Sequence, residues 1–279
     1  MKSPILVTKY SGEVVPFEEY KLFSSLKKTG AKNHDIQRII SRVKDNMVNK
    51  KRTSLIYREA FRMLKQLSKA SAARFNLKRS IMDLGPSGFP FEKYVAKLYE
   101  ANNYNVINNI ILKGKCVKHE VDVIANKNNK SMMIECKFHN HQGVKSDVKV
   151  TLYFKSRVVD IIKGLQNTEE YKGKDIQGGL VTNTRFTEDA INYAKCENIN
   201  LVSWDYPYSG SLKDLVEISG LYPLTCLTSL KKKEKKILLD EGIVLARDIA
   251  SDPSHLNQFH PSAYRLKNII GEIRELCNC

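Results

Sequence analysis

Apolar residues change their spacing along the chain, and each change marks a different kind of element. In residues 4–17 two short runs, ILVTKY and EVVPF, flank Ser11-Gly12, the pattern of a tight hairpin. From Glu18 to Thr29, from Asn33 to Met47 and from Thr53 to about Met82, apolar positions recur at helical intervals, as Ile36, Ile39, Ile40 and Val43 do. Gly30 supplies a stop, while Asn33 and Thr53 or Ser54 supply starts, so a hairpin followed by a helical bundle is expected. After Gly85-Pro86-Ser87-Gly88, FPFEKYVAKLYEANNY reads as an amphipathic helix, and NVINNIILKG, HEVDVIAN and SMMIECKF read as three strands. A helix from about Lys145 to Leu165, the strand QGGLVTN, the helix TEDAINYAKCENI and the strand NLVSWDY follow. This α-β-β-β-α-β-α-β series predicts an α/β fold with a mixed sheet and helices on both faces. Residues 211–279 look all-helical, with a break at Glu241-Gly242.

Three modules are therefore expected, at residues 1–84, 89–207 and 211–279. With 279 residues, 42% of them apolar, the chain can bury a substantial core. Apolar stretches such as Ile110 to Leu112 fall far short of the roughly 20 residues that span a bilayer, so no membrane span is expected. Met1-Lys2-Ser3-Pro4 opens no secretory signal, which makes a cytoplasmic location the expectation. Six scattered cysteines without a CxxC pair indicate reduced thiols, and the terminal Cys277-Asn278-Cys279 reads as an ordinary tail. The net charge of +16 points to an anionic polymer as partner. Its distribution is uneven: residues 1–88 hold 19 basic and 7 acidic side chains, 89–210 hold 17 and 14, and 211–279 hold 10 and 9. A basic module is thus set against a nearly neutral middle in which acidic groups cluster.

That cluster carries the candidate chemistry. Alternation along HEVDV puts Glu120, Asp122 and Ile124 on one face, and along MMIECKF it puts Met133, Glu135 and Lys137 on one face. A hairpin between these strands brings Asp122 and Glu135 together, with Lys137 one pleat beyond. Two carboxylates in a semi-buried place repel each other unless a cation neutralises them. Mg²⁺ or Mn²⁺ suits such a site, held by the carboxylates and a backbone carbonyl, for which Cys136 lies next to Glu135. An ion there serves in-line displacement at phosphorus, and Lys137 would orient the attacking water or offset charge on the phosphate. Glu92 falls on or beside the apolar face of its helix, either as a fourth member of the site or as a first-turn carboxylate favoured by the helix N-terminus. A strand-to-strand ion pair is the plain structural alternative for Asp122, Glu135 and Lys137. His139, His141 and Gln142 read as polar loop residues.

Glu92, then Asp122, then Ile134-Glu135-Cys136-Lys137, followed by a long helix, resembles the PD-(D/E)xK nuclease superfamily, in particular its Mrr-like type IV restriction endonuclease branch. The resemblance covers about residues 89–206. It implies a metal-dependent phosphodiesterase acting on DNA, with Asp122 and Glu135 as metal ligands, Lys137 as the catalytic lysine and Glu92 as an accessory acid. Val121 stands where the motif has Pro, and Gln166 is the candidate for a downstream Gln on the long helix.

No GxxxxGK[ST] and no GxGxxG occurs, so neither a P-loop nor a Rossmann fingerprint is present. VTKYSGEVVPFEEYKL nevertheless resembles the opening of the ATP-cone, a regulatory nucleotide-binding domain, with Tyr10 and Ser11 in place of the family's Arg and Asp or Asn. That resemblance implies contacts to ATP or dATP from Val7, Lys9 and Lys21, with Thr53 a further candidate. LTSLKKKEKKILLDEGIVLARDIA faintly resembles a helix-hairpin-helix module, which would offer backbone N–H groups and lysines to phosphates. The expectation is an Mg²⁺-dependent DNA endonuclease tuned by ATP or dATP, acting as a homo-oligomer with DNA and a nucleoside triphosphate as partners. A nucleotide-sensing DNA-binding regulator with an inactive nuclease-like fold is the main alternative, and a Holliday-junction or repair nuclease a third.

Overall fold

The computed structural model describes residues 5–9, 12–47, 49–166 and 168–278, so Tyr10, the Ser11 half of the expected turn, and Cys279 lie outside the described residues. The chain opens with β1 (Leu6–Thr8), β2 (Val14–Pro16), α1 (Glu19–Lys27), α2 (Asn33–Asp45), β3 (Lys51–Arg52), α3 (Thr53–Leu67), α4 (Lys69–Phe75) and α5 (Leu77–Met82). The expected hairpin forms, with β1 antiparallel to β2, and β3 adds a third strand parallel to β1. Leu22, Leu26, Ile36, Ile39, Ile40, Val43, Ile56 and Leu64 close a core around Val7. The single helix expected from Thr53 to Met82 is broken into three. Ser68 is extended and its hydroxyl accepts from the Ser71 N–H, so it restarts the chain as an N-cap. Asn76 follows α4 as its C-cap, its main-chain N–H bonding back to the Ala72 and Ala73 carbonyls.

The middle of the chain comprises α6 (Phe89–Ala101), β4 (Asn105–Lys113), β5 (Lys118–Lys127), β6 (Lys130–Lys137), β7 (Lys145–Ser146), α7 (Val148–Leu165), β8 (Asp175–Thr182), β9 (Arg185–Phe186), α8 (Glu188–Cys196), β10 (Asn200–Val202) and α9 (Leu212–Ser219). Five strands form one mixed sheet in the order β10-β8-β6-β5-β4. β4 pairs antiparallel with β5 and β5 with β6, whereas β6, β8 and β10 are parallel. The predicted mixed α/β order is therefore present. The pair β7 and β9, two residues each, escapes the sequence because so short a bridge has no alternation to read. Helices cover both faces: the Tyr99 hydroxyl of α6 reaches the Met132 sulfur, while Phe154 and Val158 of α7 pack against Gly178 on the opposite side.

α10 (Lys232–Asp240), α11 (Ala246–Ser251) and α12 (Ala263–Cys277) complete the chain. Where the sequence suggests three consecutive modules, the Cα positions group into two compact units. The first takes Met1–Ser80, Leu224–Leu238 and Ala246–Cys279, and the second takes Ile81–Pro223 and Leu239–Leu245. In the first, both ends of the chain are tied together. Arg74 donates to the carbonyls of Glu275 (2.5 Å) and Leu276 (3.0 Å), and the Thr225 hydroxyl donates to the Ser80 carbonyl (2.6 Å). In the second, the buried Tyr94 hydroxyl donates to the Leu221 carbonyl at 2.7 Å and holds the segment after α9. Among the described residues no helix is long and apolar enough to cross a membrane.

α7 must lie close to the turn after β4 for the site below to assemble, and Gly164 permits it. A Cβ there would sit 2.6 Å from the Gly114 carbonyl carbon and 2.7 Å from its Cα, in backbone that cannot swing aside. Gly164→Ala is therefore expected to destabilise the protein by about 1–3 kcal/mol in urea denaturation, despite the better helix propensity of alanine.

Candidate active site

The β5–β6 ladder runs from Lys127↔Lys130 to Val123↔Ile134 and stops there. Each strand continues on its outer side: β6 stays paired with β8 as far as Lys137↔Thr182, and β5 stays paired with β4 as far as Lys118↔Lys113. The sheet thus forks in its middle. Asp122 and Glu135 are the next residues in register, one on each prong. The Asp122 carboxylate fills the opening by accepting the Cys136 main-chain N–H at 2.7 Å, a bond that a regular ladder would have given to a carbonyl.

Four acidic groups, Glu92, Glu120, Asp122 and Glu135, lie within electrostatic reach of one another at this fork. Glu92, near the start of α6, is only partly exposed, and its carboxyl is pushed up to about 7 by burial, with Asp122, Glu120 and Glu135 adding to the shift. Asp122 is pushed up to about 6, chiefly by burial; the Cys136 N–H and Arg157 oppose the shift and Glu135 reinforces it. The place therefore has an appetite for positive charge. Arg157 of α7 answers part of it, donating to Glu135 Oε2 at 2.5 Å and also to the Glu120 carbonyl. One turn further on, Asp160 accepts from the Cys116 N–H at 2.9 Å and pairs with His119 at 2.8 Å, which holds its carboxyl below the ordinary range and clamps the β4–β5 turn to α7.

Lys137 lies at the end of β6, exposed, and its ammonium has no hydrogen-bond or ion-pair partner among the described residues. Its carbonyl accepts from the Thr182 hydroxyl at 2.7 Å, fixing the backbone from which the side chain springs. The Cys136 thiol is buried and pushed well up by that burial, so only the main-chain carbonyl of this residue suits a hard ion. Among the described residues no three His, Cys, Asp or Glu side chains converge as a ready-made metal cage. The donor set still fits Mg²⁺ or Mn²⁺, which need only one or two protein carboxylates and complete their shell with water and phosphate oxygens. Asp122 supplies one, and Arg157 engages only one oxygen of Glu135.

Two contributors are not legible in the motif. Arg157 lies 22 residues from Glu135, and nothing in its helix spacing sets it apart. Asn109 sits opposite Asp122 in the β4–β5 register with φ of 50°, the left-handed region. With its amide nitrogen turned inward, toward two acceptors, it donates to Glu92 Oε2 and to the Asp122 carbonyl, each at 3.3 Å. It links α6 to the fork. The one sequence signal is an Asn-Asn pair inside an otherwise apolar strand. His139 proves structural: its N–H donates to the Asn183 side chain at 2.8 Å and its ring contacts the Ser146 hydroxyl at 2.9 Å. Gln166 caps the end of α7, exposed and well past Arg157.

The expected nucleotide residues lie in the first unit. Val7 is a core side chain on the central strand of its small sheet. Lys9 pairs with Glu13 at 2.9 Å and Lys21 with Glu18 at 2.5 Å. Both lysines act on Glu18, whose carboxyl is lowered by Lys21 first and by Lys9 to a smaller extent, so the two stand near each other. Thr53 starts α3 directly after β3.

A family model described as "Restriction endonuclease" matches residues 85–206, and one described as "AF1548-like, C-terminal" matches residues 222–277. An uncharacterized protein of Archaeoglobus fulgidus is 33% identical over 183 residues, covering 65% of this chain and 99% of that protein. The crystal structure of AF1548, a protein of unknown function, superposes with a TM-score of 0.56 at 33% identity, covering 69% of this chain and 99% of its own.

The left-handed backbone at Asn109 gives a direct test. Glycine adopts that conformation without strain, whereas alanine pays roughly 1–2 kcal/mol for it. Asn109→Gly should therefore melt in urea above Asn109→Ala by about that amount; equal stability of the two variants would mean that the strand is regular there.

Proposed function

The chain belongs to the AF1548-like family and has a restriction-endonuclease domain, and from that premise we propose that it is a divalent-metal-dependent DNA endonuclease. The observation that supports this reading is the fork: Asp122 and Glu135 are next in register where β5 and β6 part, and Lys137, two residues beyond Glu135, has an ammonium without a partner among the described residues. A bound ion supplies positive charge for a phosphodiester oxygen and acidifies a water at neutral pH.

The remaining work belongs to the side chains. Asp122 and Glu135 would hold the ion, with the Cys136 carbonyl, and the Cys136 N–H fixes the Asp122 carboxylate in place. Lys137 reaches outward from a strand end whose backbone is pinned, where it can orient the attacking water or offset the charge that builds on the phosphate. Glu92 stands behind Asp122 as an accessory carboxylate, oriented by Asn109. Arg157 aligns Glu135 through one carboxylate oxygen and would leave the other for the ion.

The N-terminal hairpin and helices are the regulatory part of this reading. Lys9 and Lys21, now quenched by Glu13 and Glu18, would exchange those acids for the phosphates of ATP or dATP, with Val7 and Thr53 beside them. Cutting both strands of a duplex calls for two sites, so a homo-oligomer is the expected acting form. One observation favours a second reading, a nucleotide-sensing DNA-binding regulator without turnover: Glu135 already has a cation in Arg157.

Nicking of supercoiled DNA with Mg²⁺ or Mn²⁺ decides between them. Wild-type protein should cleave and lose the activity in EDTA, and Asp122→Ala and Lys137→Ala should each cut at least about a hundredfold more slowly. Variants as active as wild type would refute the site, while DNA binding and calorimetric ATP or dATP binding without any cleavage would support the regulator.

A further inference from the structure

The two compact units divide the charge completely. The first holds 28 Lys and Arg against 11 Asp and Glu, a net +17, and the second holds 18 against 19, a net −1. The unit that bears Glu92, Glu120, Asp122 and Glu135 therefore has no surplus of positive charge with which to attract a phosphate polymer, and its candidate site is itself anionic. The surplus lies in the other unit.

Within that unit one loop gathers basic groups from both ends of the chain. Glu272 of α12 is buried and accepts the main-chain N–H groups of Thr228 (2.6 Å) and Ser229 (2.9 Å), which fixes the loop before α10. Lys65 of α3 donates to the Thr228 carbonyl at 3.4 Å and Lys69 of α4 to the Ser229 hydroxyl at 3.3 Å, across 163 and 160 residues of sequence. Directly after this loop come Lys231, Lys232, Lys233 and Lys236, all exposed. Two acids of the neighbourhood are turned inward, while Glu275 of α12 stays exposed and accepts from the Ser68 hydroxyl beside Lys69. Glu234 is buried on Arg265 at 2.6 Å and the Lys231 N–H at 2.7 Å, and Glu272 is consumed by the loop. They hold the scaffold and leave the outer lysines uncompensated. A merely solvated helix would have no reason to bury Glu234 while exposing Lys233 and Lys236 on either side of it.

We propose that this composite face, built from Lys65 and Lys69 at one end of the chain and Lys231, Lys232, Lys233 and Lys236 at the other, docks the phosphate backbone of double-stranded DNA without reading its sequence. It rests on the nuclease reading for the identity of the polymer. Lysine ammonium groups contact phosphates as point charges, and each contact releases condensed counterions, so binding here is steeply dependent on salt.

Fluorescence anisotropy with a mixed-sequence 20-base-pair duplex in EDTA tests the face without any cleavage. Lys65→Glu with Lys69→Glu, and separately Lys231→Glu with Lys233→Glu, should each weaken binding at least about tenfold and lower the slope of log K against log salt by about two. The pair Lys32→Glu with Arg38→Glu, both exposed, the first at the N-cap of α2 and the second on it, should weaken it much less. All three double variants should keep the wild-type circular dichroism spectrum. Unchanged binding in either patch variant, a control pair as damaging as the patch pairs, or tighter binding of single-stranded RNA than of the duplex would each overturn the proposal. A protein that binds duplex through this face yet never cuts would sink the nuclease reading alone, and one that cuts while its patch variants bind normally would sink this inference alone.

Discussion

Carboxylates brought together out of water are unfavourable neighbours, and the second unit is built so that they cannot separate. β5 and β6 part company after Val123 and Ile134, yet each prong is held by its outer neighbour, β4 on one side and β8 on the other. Asp122 occupies the Cys136 N–H at the fork, Arg157 of α7 bonds Glu135 and the Glu120 carbonyl on its two prongs, and Asp160 ties α7 to the β4–β5 turn. Burial raises the proton affinity of Glu92 and Asp122, which is the same physical demand that a divalent cation would meet. The rest of the unit follows from that demand: the close approach at Gly164, the left-handed Asn109, and the backbone of Lys137 fixed by Thr182.

Much of the frame was legible because it rests on periodicities with a direct physical cause. Alternation in HEVDV and IECK sets Asp122 and Glu135 to converge, and the observed register places them next in line on paired strands. The order of helices and strands and the coverage of both faces follow from the same patterns. What the pattern could not hold is long-range or conformational. Arg157 is chosen by where α7 lands, Asn109 by a backbone angle, and the break at Ser68 by a hydroxyl that competes for an N–H inside an otherwise helical run. The association of residues 224–238 and 246–279 with the N-terminal helices was likewise hidden, since its bonds, such as Arg74 to Glu275, span 201 residues.

That association changes how the basic charge is understood. Along the sequence the excess lies in the first third, with the C-terminal lysines as a separate and unremarkable cluster. In the fold they belong to one body, while the acidic fork belongs to another. On the proposed reading, affinity for a polyanion and chemistry upon it would fall to different parts of the molecule, so that neither would compromise the electrostatics of the other.

The claim on which the account turns is that Asp122 and Glu135 share one divalent ion. Titration of Mn²⁺ into the protein without DNA, followed by the loss of the free-ion electron paramagnetic resonance signal, reads this apart from any activity. The account predicts one ion bound per chain, with the affinity weakened at least about tenfold in Asp122→Asn and in Glu135→Gln. Equal binding by wild type and both variants, or none by any of them, would contradict it.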